Sequence, residues 1–325
     1  MRAIVIKQYG GPEVLQIEER ADPQPKPGHV VIDVKAFGLN HAEIYFRKGV
    51  WGDVAEISGI ECVGTVRFDP DGRFASGQKV MALVGGLGRS INGSYAEQVS
   101  VPHGNVVTVD SKLSWEDLAA IPESYATAWT SLVGLLAIGK DQIVAVRGAT
   151  SALGQAAVNI ASHAGARVIA TTRNSSRAAM LDGLGAKQVL LESPELAQRV
   201  RERHPHGIDA VLDIVGNTTV LDSLAMLKRG GHACVVGFLG GGGPLSLEPV
   251  FQIPSGRQLT VFASAVVTGT PEFPLSEIPF QAIVDRAAAG LYKAKPAKVL
   301  RFEDIQEAHR LAESNAAGGK IVIRV

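Results

Sequence analysis

Residues Gln142–Arg177 read QIVAVRGATSALGQAAVNIASHAGARVIATTRNSSR, and this stretch decides the fold. Ile143 to Val146 is an apolar run too short for a helix, closed by Arg147-Gly148, so a buried strand is expected. From Ser151 to Ala164, residues Ala152, Ala156, Val158, Ile160 and Ala161 give a helix face of small side chains that can lie close on a sheet. Arg167 to Thr171 is a second strand of the buried type. The order is strand, glycine-containing turn, helix, strand. The turn falls at a helix N-terminus, where backbone N–H groups and the helix dipole favour phosphate.

The turn departs from the G-x-G-x-x-G of a standard dinucleotide-binding turn, because Gly148, Ser151 and Gly154 fall at spacings of three and three. Gly148 provides the turn and Gly154 the close helix–strand packing. Ser151 stands where the backbone approaches a pyrophosphate, with a hydroxyl able to add a hydrogen bond, and Ala152 and Leu153 follow it into the helix. So loose a pattern also fits an ordinary strand-to-helix turn; its context favours the dinucleotide. The end of the second strand adds a further signal. A site for NAD places Asp or Glu there to hold the ribose hydroxyls. Here the chain runs Thr171, Thr172, Arg173, Asn174, Ser175, Ser176, Arg177, with no carboxylate. The guanidinium groups of Arg173 and Arg177, with the Ser175 hydroxyl, suit a 2′-phosphate. Asn174 or Ser175 as the N-cap of a following helix is a compatible reading. The cofactor expected is NADPH.

At 325 residues the chain has room for two domains, and 46% hydrophobic with 20% charged residues describes a soluble globular protein. Lys+Arg and Asp+Glu are equal at 32 each, so net charge gives no reason to expect a nucleic-acid or membrane partner. Cys62 and Cys234 form no CxxC pair and read as buried small hydrophobes in a reducing compartment. The N-terminal MRAIVIKQYG is too short and too soon polar for a signal peptide, and no apolar run approaches a membrane span. A cytoplasmic location is expected.

Residues 1–110 read as all-β with tight turns. Strands are expected at Ala3–Gln8, Val14–Glu18, His29–Leu39, Glu61–Phe68, Lys79–Val84, Ser94–Val99 and Val106–Val109. Asn40 is a good cap for a short helix to Lys48. From Ser114, itself an N-cap, the pattern turns helical, with a break expected at Pro122. Strands near 143, 167, 188, 209 and 232 then alternate with helices, the pattern of a parallel, doubly wound sheet. Arg257–Val267 reads as an apolar strand at a sheet edge, which asks for a partner and predicts a homodimer. Helices at Phe280–Ala289 and Ile305–Glu313 and a strand at Ile321–Val325 complete the chain.

The order of parts resembles the medium-chain dehydrogenase/reductase superfamily over essentially the whole length. Within it, the chain is similar to the zinc-independent, quinone oxidoreductase-like (zeta-crystallin-like) branch. The resemblance rests on GLNHAEIYFRKG, SGIECVGTV, the RGATSALGQAAVNIA turn, GIDAVLDIVGN and RGGHACVVGF. It implies an α/β fold in which a doubly wound Rossmann sheet joins a GroES-like β-barrel domain. Residues 1–118 and 267–325 would form the GroES-like catalytic domain and 119–266 the NADPH-binding domain. Zinc-dependent members carry Cys after the strand, a GHE triplet and a lobe of four cysteines. Here Asn40 and Ile60 replace the ligands and the lobe is missing, so no metal is expected.

The resemblance places Asn40 and Tyr45 in the cleft, where amide and phenol would hold a substrate oxygen in place of a Lewis acid. The plain alternatives are a helix cap for Asn40 and a core position for Tyr45. Arg47 reads either as lining the mouth or as a surface residue. Cofactor contacts implied by the resemblance are Thr127, Val215, Gly216, Phe238 and, in the C-terminal ESNAAGGK, Asn315; Arg177 matches a Lys that meets the 2′-phosphate. A tyrosine expected after the third strand is replaced in KQVLLESPE. The activity implied is hydride transfer to a quinone or to the β-carbon of an α,β-unsaturated carbonyl. Rival readings are an enoyl-thioester reductase and a non-enzymatic NADPH- or RNA-binding protein. No Lys/Arg cluster in the first domain supports the former, and zero net charge stands against RNA.

Overall fold

Glycine corners and alternating apolar runs turn the first part of the chain into seven strands: β1 (Arg2–Ile6), β2 (Leu15–Glu19), β3 (His29–Leu39), β4 (Glu61–Phe68), β5 (Lys79–Leu83), β6 (Gln98–Pro102) and β7 (Val106–Thr108). The computed structural model describes residues 1–241 and 243–325. Helix α1 (His41–Arg47) follows β3 directly, and α2 (Trp115–Ala119) and α3 (Pro122–Trp129) are separated at Pro122, where a proline N–H is lacking. Ser114 caps α2, its Oγ accepting from Asp117 N at 3.1 Å.

Next come β8 (Ile143–Arg147), α4 (Ala152–His163), β9 (Arg167–Thr172), α5 (Ala178–Gly183), β10 (Gln188–Leu191), α6 (Leu196–Arg203), β11 (Ile208–Asp213), α7 (Val220–Met226), β12 (Leu227–Val235), α8 (Pro249–Gln252), β13 (Gln258–Val261) and α9 (Ser264–Val267). The chain closes with α10 (Phe280–Ala288), β14 (Lys298–Arg301), α11 (Ile305–Glu313) and β15 (Ile321–Arg324). Two compact units result: Met1–Ala126 with Ala265–Val325, and Thr127–Ser264. The sequence reading had set these divisions at 118 and 267.

In the first unit β1 and β2 pair antiparallel, and a second sheet runs β14-β15-β3-β4-β5-β7, with β6 also on β3. The hub is β3, whose eleven residues pair with β4, β6 and β15. Its side chains Val30, Ile32, Val34, Phe37 and Leu39 share a core with Tyr95, Phe302 and Ile323. The strand expected at Ser94–Val99 forms later, as β6. Ser94 and Tyr95 are diverted: their N–H groups bond to Gly59 and Ser58, and the Tyr95 carbonyl accepts from Ile4.

In the second unit all six strands are parallel, in the order β10-β9-β8-β11-β12-β13. The direction of succession reverses between β8 and β11, the switch point at which open α/β sheets carry their crevice. The apolar stretch from Arg257 gives only four residues of strand, because after Phe262 the chain turns helical at α9. Val261 at that edge is 69% exposed. No helix among the described residues is long and apolar enough to cross a membrane.

Candidate active site

Asn40 is the residue at which β3 becomes α1. Its N–H donates to Glu43 Oε2 at 2.8 Å, the backward half of a capping box, so the sequence Asn-x-x-Glu fixes the corner locally. The Asn40 side chain has other partners. Nδ2 donates to Glu61 Oε1 at 2.9 Å and lies 3.4 Å from Glu43 Oε1, while Oδ1 accepts from Lys320 Nζ at 2.6 Å. Lys320 also forms an ion pair with Glu61, whose Oε2 accepts from Glu123 N at 2.7 Å. Glu43 and Glu61 are fully buried and Lys320 nearly so.

Burial pushes the Glu43 carboxyl up to about 7, against the opposing pull of the Ile60 N–H and of Lys320. His41, beside Asn40, is pushed down to about 4 by burial and by the charges of Lys320 and Lys48, so it is neutral at pH 7. Tyr45 lies one turn along α1, half-buried, with its ring 5.8 Å from Trp51 and 6.4 Å from His41. Burial raises its phenol pKa further, which keeps the O–H as a donor at neutral pH. Asn40 and Tyr45 thus belong to one short element, the first as its N-cap and the second within it. Arg47 is neither at a mouth nor on the surface. It is fully buried, bonded to the Gly10 carbonyl at 2.7 Å and paired with Glu313.

Sequence reasoning had passed over Glu43 and Lys320, and had read Glu61 only as the remnant of a triplet. One signal was available. Gly38 is the next-to-last residue of β3, and a glycine within a strand marks a close approach. A Cβ there would lie 2.3 Å from Lys320 Cε and 2.4 Å from Glu61 Oε1.

In the second unit the strand-to-helix turn is as tight as the glycines required. Gly148 has φ +78°, and a Cβ on Gly154 would meet the Gly148 carbonyl oxygen at 2.4 Å. Ser151 is the N-cap of α4: its Oγ accepts from Gly154 N at 3.0 Å and donates to Gly148 O at 2.9 Å. The hydroxyl expected to meet a phosphate thus also serves as the cap of α4. The N–H groups of Ala152 and Leu153 belong to the first turn of α4, where a helix has no acceptors of its own.

Gly148 abuts Ile214 and Val215, and Gly216, with φ +87°, abuts Gly237 and Phe238, so the ends of β8, β11 and β12 converge. Asp213 holds that convergence by accepting from Val215 N and Gly216 N, both at 2.9 Å. Arg173 and Ser175 are exposed and Arg177 half-buried just past β9, while Asn174 caps that turn through Ser176 N at 2.9 Å. Thr127 is buried in α3 at the start of this unit. Asn315 belongs to the first unit, exposed beyond α11 with φ +54°.

Beneath the turn, Arg147 is buried and paired with Glu192 and with Asp222 at 2.7 Å, and it also bonds to Ser223 and the Thr219 carbonyl, both at 3.1 Å. Glu192 lies in KQVLLESPE, the stretch in which a tyrosine had been expected.

Among the described residues, one group of three has metal-ligand character: Asp69, Asp71 and His103, with ligand atoms within 4.8 Å of one another. Its acceptors already close a turn. Asp69 takes the N–H groups of Asp71, Arg73 and Phe74 together with His103 Nε2, and Asp71 takes Gly28 N.

Residues 26–111 match the family described as the alcohol dehydrogenase GroES-like domain, and residues 152–280 that described as zinc-binding dehydrogenase. The human quinone oxidoreductase is 27% identical, over 99% of this chain and 97% of its own. A crystal structure of an NAD-dependent alcohol dehydrogenase is 30% identical with a TM-score of 0.84, and covers both chains fully. A mycobacterial protein solved with NADPH is 27% identical with a TM-score of 0.87, again over the full length of both. The chain thus has the two-part build of the dehydrogenases that pair a GroES-like unit with a dinucleotide fold. It belongs to the medium-chain dehydrogenase/reductase superfamily, in its quinone oxidoreductase-like branch.

Proposed function

We propose that this protein is an NADPH-dependent reductase that works without zinc on a quinone or an α,β-unsaturated carbonyl. The observation that carries the reading is the corner at Asn40. Asn40 caps α1 and Tyr45, with its phenol kept protonated, follows on the same helix, and neither Asn40 nor Ile60 offers the thiolate or imidazole that a zinc ion would need. The names of the relatives support the same activity, since human quinone oxidoreductase aligns end to end with this chain.

The second unit fits the dinucleotide. The glycine turn leaves no room for a side chain between β8 and α4, and the first N–H groups of α4 are suited to a pyrophosphate. Arg173, Ser175 and Arg177 would hold a 2′-phosphate, and the absence of Asp or Glu from positions 171 to 177 favours NADPH over NADH. The relative solved with NADPH is consistent with this. When bound, the nicotinamide would supply the hydride. Asn40 and Tyr45 would hold the substrate oxygen by donated hydrogen bonds and steady the negative charge that grows on it. The β13 edge, with Val261 exposed, is proposed as the seam of a homodimer in which two sheets pair.

The test is NADPH and NADH oxidation by chelator-treated protein against an ortho-quinone, a para-quinone and a linear enone. Turnover with NADPH, unchanged by chelation, is the expected result. Turnover of the enone alone would narrow the substrate class to alkenes. Activity that disappears with the chelator would refute the metal-free reading.

A further inference from the structure

We propose that Lys320 is a positioning residue that acts on the substrate oxygen through Asn40. The inference rests on the role given above to Asn40. Lys320 immediately precedes β15, whose first residue, Ile321, pairs with Leu39 at the end of β3. That register sets Lys320 beside Asn40, although 280 residues separate them in the chain. The side chain runs past Gly38, the position where a Cβ would collide with it, and ends between Asn40 Oδ1 and Glu61.

The two neighbours of the amide make opposite demands. An ammonium only donates, so it takes the amide oxygen; a carboxylate only accepts, so it takes the amide nitrogen. Reversing the amide would put Nδ2 against Lys320 and Oδ1 against Glu61. The orientation is fixed. One Nδ2 hydrogen is engaged by Glu61 at 2.9 Å, while the other has Glu43 at 3.4 Å, too long to hold it firmly. That second hydrogen is the donor that can turn to a substrate oxygen.

The ammonium does more than orient. Bound to the amide oxygen at 2.6 Å, it draws electron density away from the nitrogen through the amide resonance. The remaining N–H is strengthened as a donor, as in other hydrogen-bond chains that begin on a charged group. Positive charge thus reaches the oxygen through one amide, and Glu61 balances it in the resting state. The competing account is that Lys320 serves only to neutralise Glu61.

A mutant cycle separates the two. Lys320→Met is expected to lower kcat on an ortho-quinone about 30-fold, less than loss of a whole oxyanion donor. The NADPH dissociation constant, read by fluorescence, should stay within about twofold because the phosphate turn is untouched. Lys320→Arg should recover most of the loss. In an Asn40→Ala background the same lysine substitution should cost no more than about twofold, since two residues acting as a unit are not additive. A full 30-fold effect in that background, or an unchanged kcat in K320M, overturns the proposal. If K320M does not fold, the cycle is run with Glu61→Gln, which leaves no unpaired carboxylate. There, E61Q/K320M turning over like E61Q would show neutralisation alone and overturn the proposal. A wild-type protein that turns over none of the three acceptor types refutes the reductase reading itself, and the inference with it.

Discussion

Arg147 and Lys320 are both buried cations paired with carboxylates, and the difference between them separates structure from chemistry in this protein. Arg147 spends its guanidinium inside the protein, on Glu192, Asp222, Ser223 and the Thr219 carbonyl. These partners come from the end of β10 and from α7, so the arginine ties together elements beneath the phosphate turn. Lys320 touches one carboxylate and one amide, and that amide belongs to a half-buried residue with a hydrogen to spare. A network closed on itself fixes a shape. One that ends on a half-buried donor can act on a third party.

The largest expected effect tests the structural half of this contrast. Arg147→Met keeps the volume and removes the charge, leaving Glu192 and Asp222 without their cation. Breaking a buried pair in this way costs about 3–5 kcal/mol. Thermal denaturation should show a midpoint lower by roughly 10 °C. Adding Glu192→Gln and Asp222→Asn should return most of the loss, because the cost lies in uncompensated charge. An R147M protein as stable as wild type would erase the distinction, since the arginine would then be no lock.

The arginines just past β9 extend the comparison, because a guanidinium near the surface can serve a ligand. Arg173 lies in solvent just past β9 and Arg177 half-buried a turn later, on a segment capped by Asn174. Replacing both by Ala should raise the KM for NADPH about 30-fold, the worth of one or two charge-assisted hydrogen bonds. The KM for NADH should move less than about threefold. Equal losses for both cofactors would show that the loop shapes the site without reading the 2′-phosphate.

The same contrast explains what could be read from the sequence. The parallel sheet, the turn at Gly148 and the corner at Asn40 each depend on residues a few positions apart, so periodicity and capping chemistry reveal them. Glu61 and Lys320 meet Asn40 only because β15 returns to pair with β3, a register set by long-range packing. Arg147 and Glu192 were hidden for the same reason: the ends of β8 and β10 are neighbours only once β9 lies between them. The strand expected over Arg257–Val267 failed differently. Its apolar residues fit strand and helix alike, and the chain took both, as β13 and α9.

The smallest expected effect asks how many charges Lys320 faces. Burial holds the Glu43 carboxyl up at about 7, against an ordinary value of 4.5. A carboxyl with a raised native pKa keeps a proton that the unfolded chain has released, so stability falls as pH rises from about 4.5 to about 7 and is level above. His41 and His309, pushed down to about 4 and about 3 by burial, act in the opposite sense. Below about 6.5 the unfolded chain takes up protons that they refuse, so stability falls on acidification. Glu43 therefore offsets one of the two histidines near pH 5 to 6. In Glu43→Gln the offset is gone. Urea denaturation at pH 5, 6, 7 and 8 should show the stability of the variant relative to wild type rising between pH 5 and 7, by at most about 1.4 kcal/mol per pH unit, then levelling. A difference that stays constant with pH would mean that Glu43 is ionised throughout. Lys320 would then face two carboxylates, as Arg147 does.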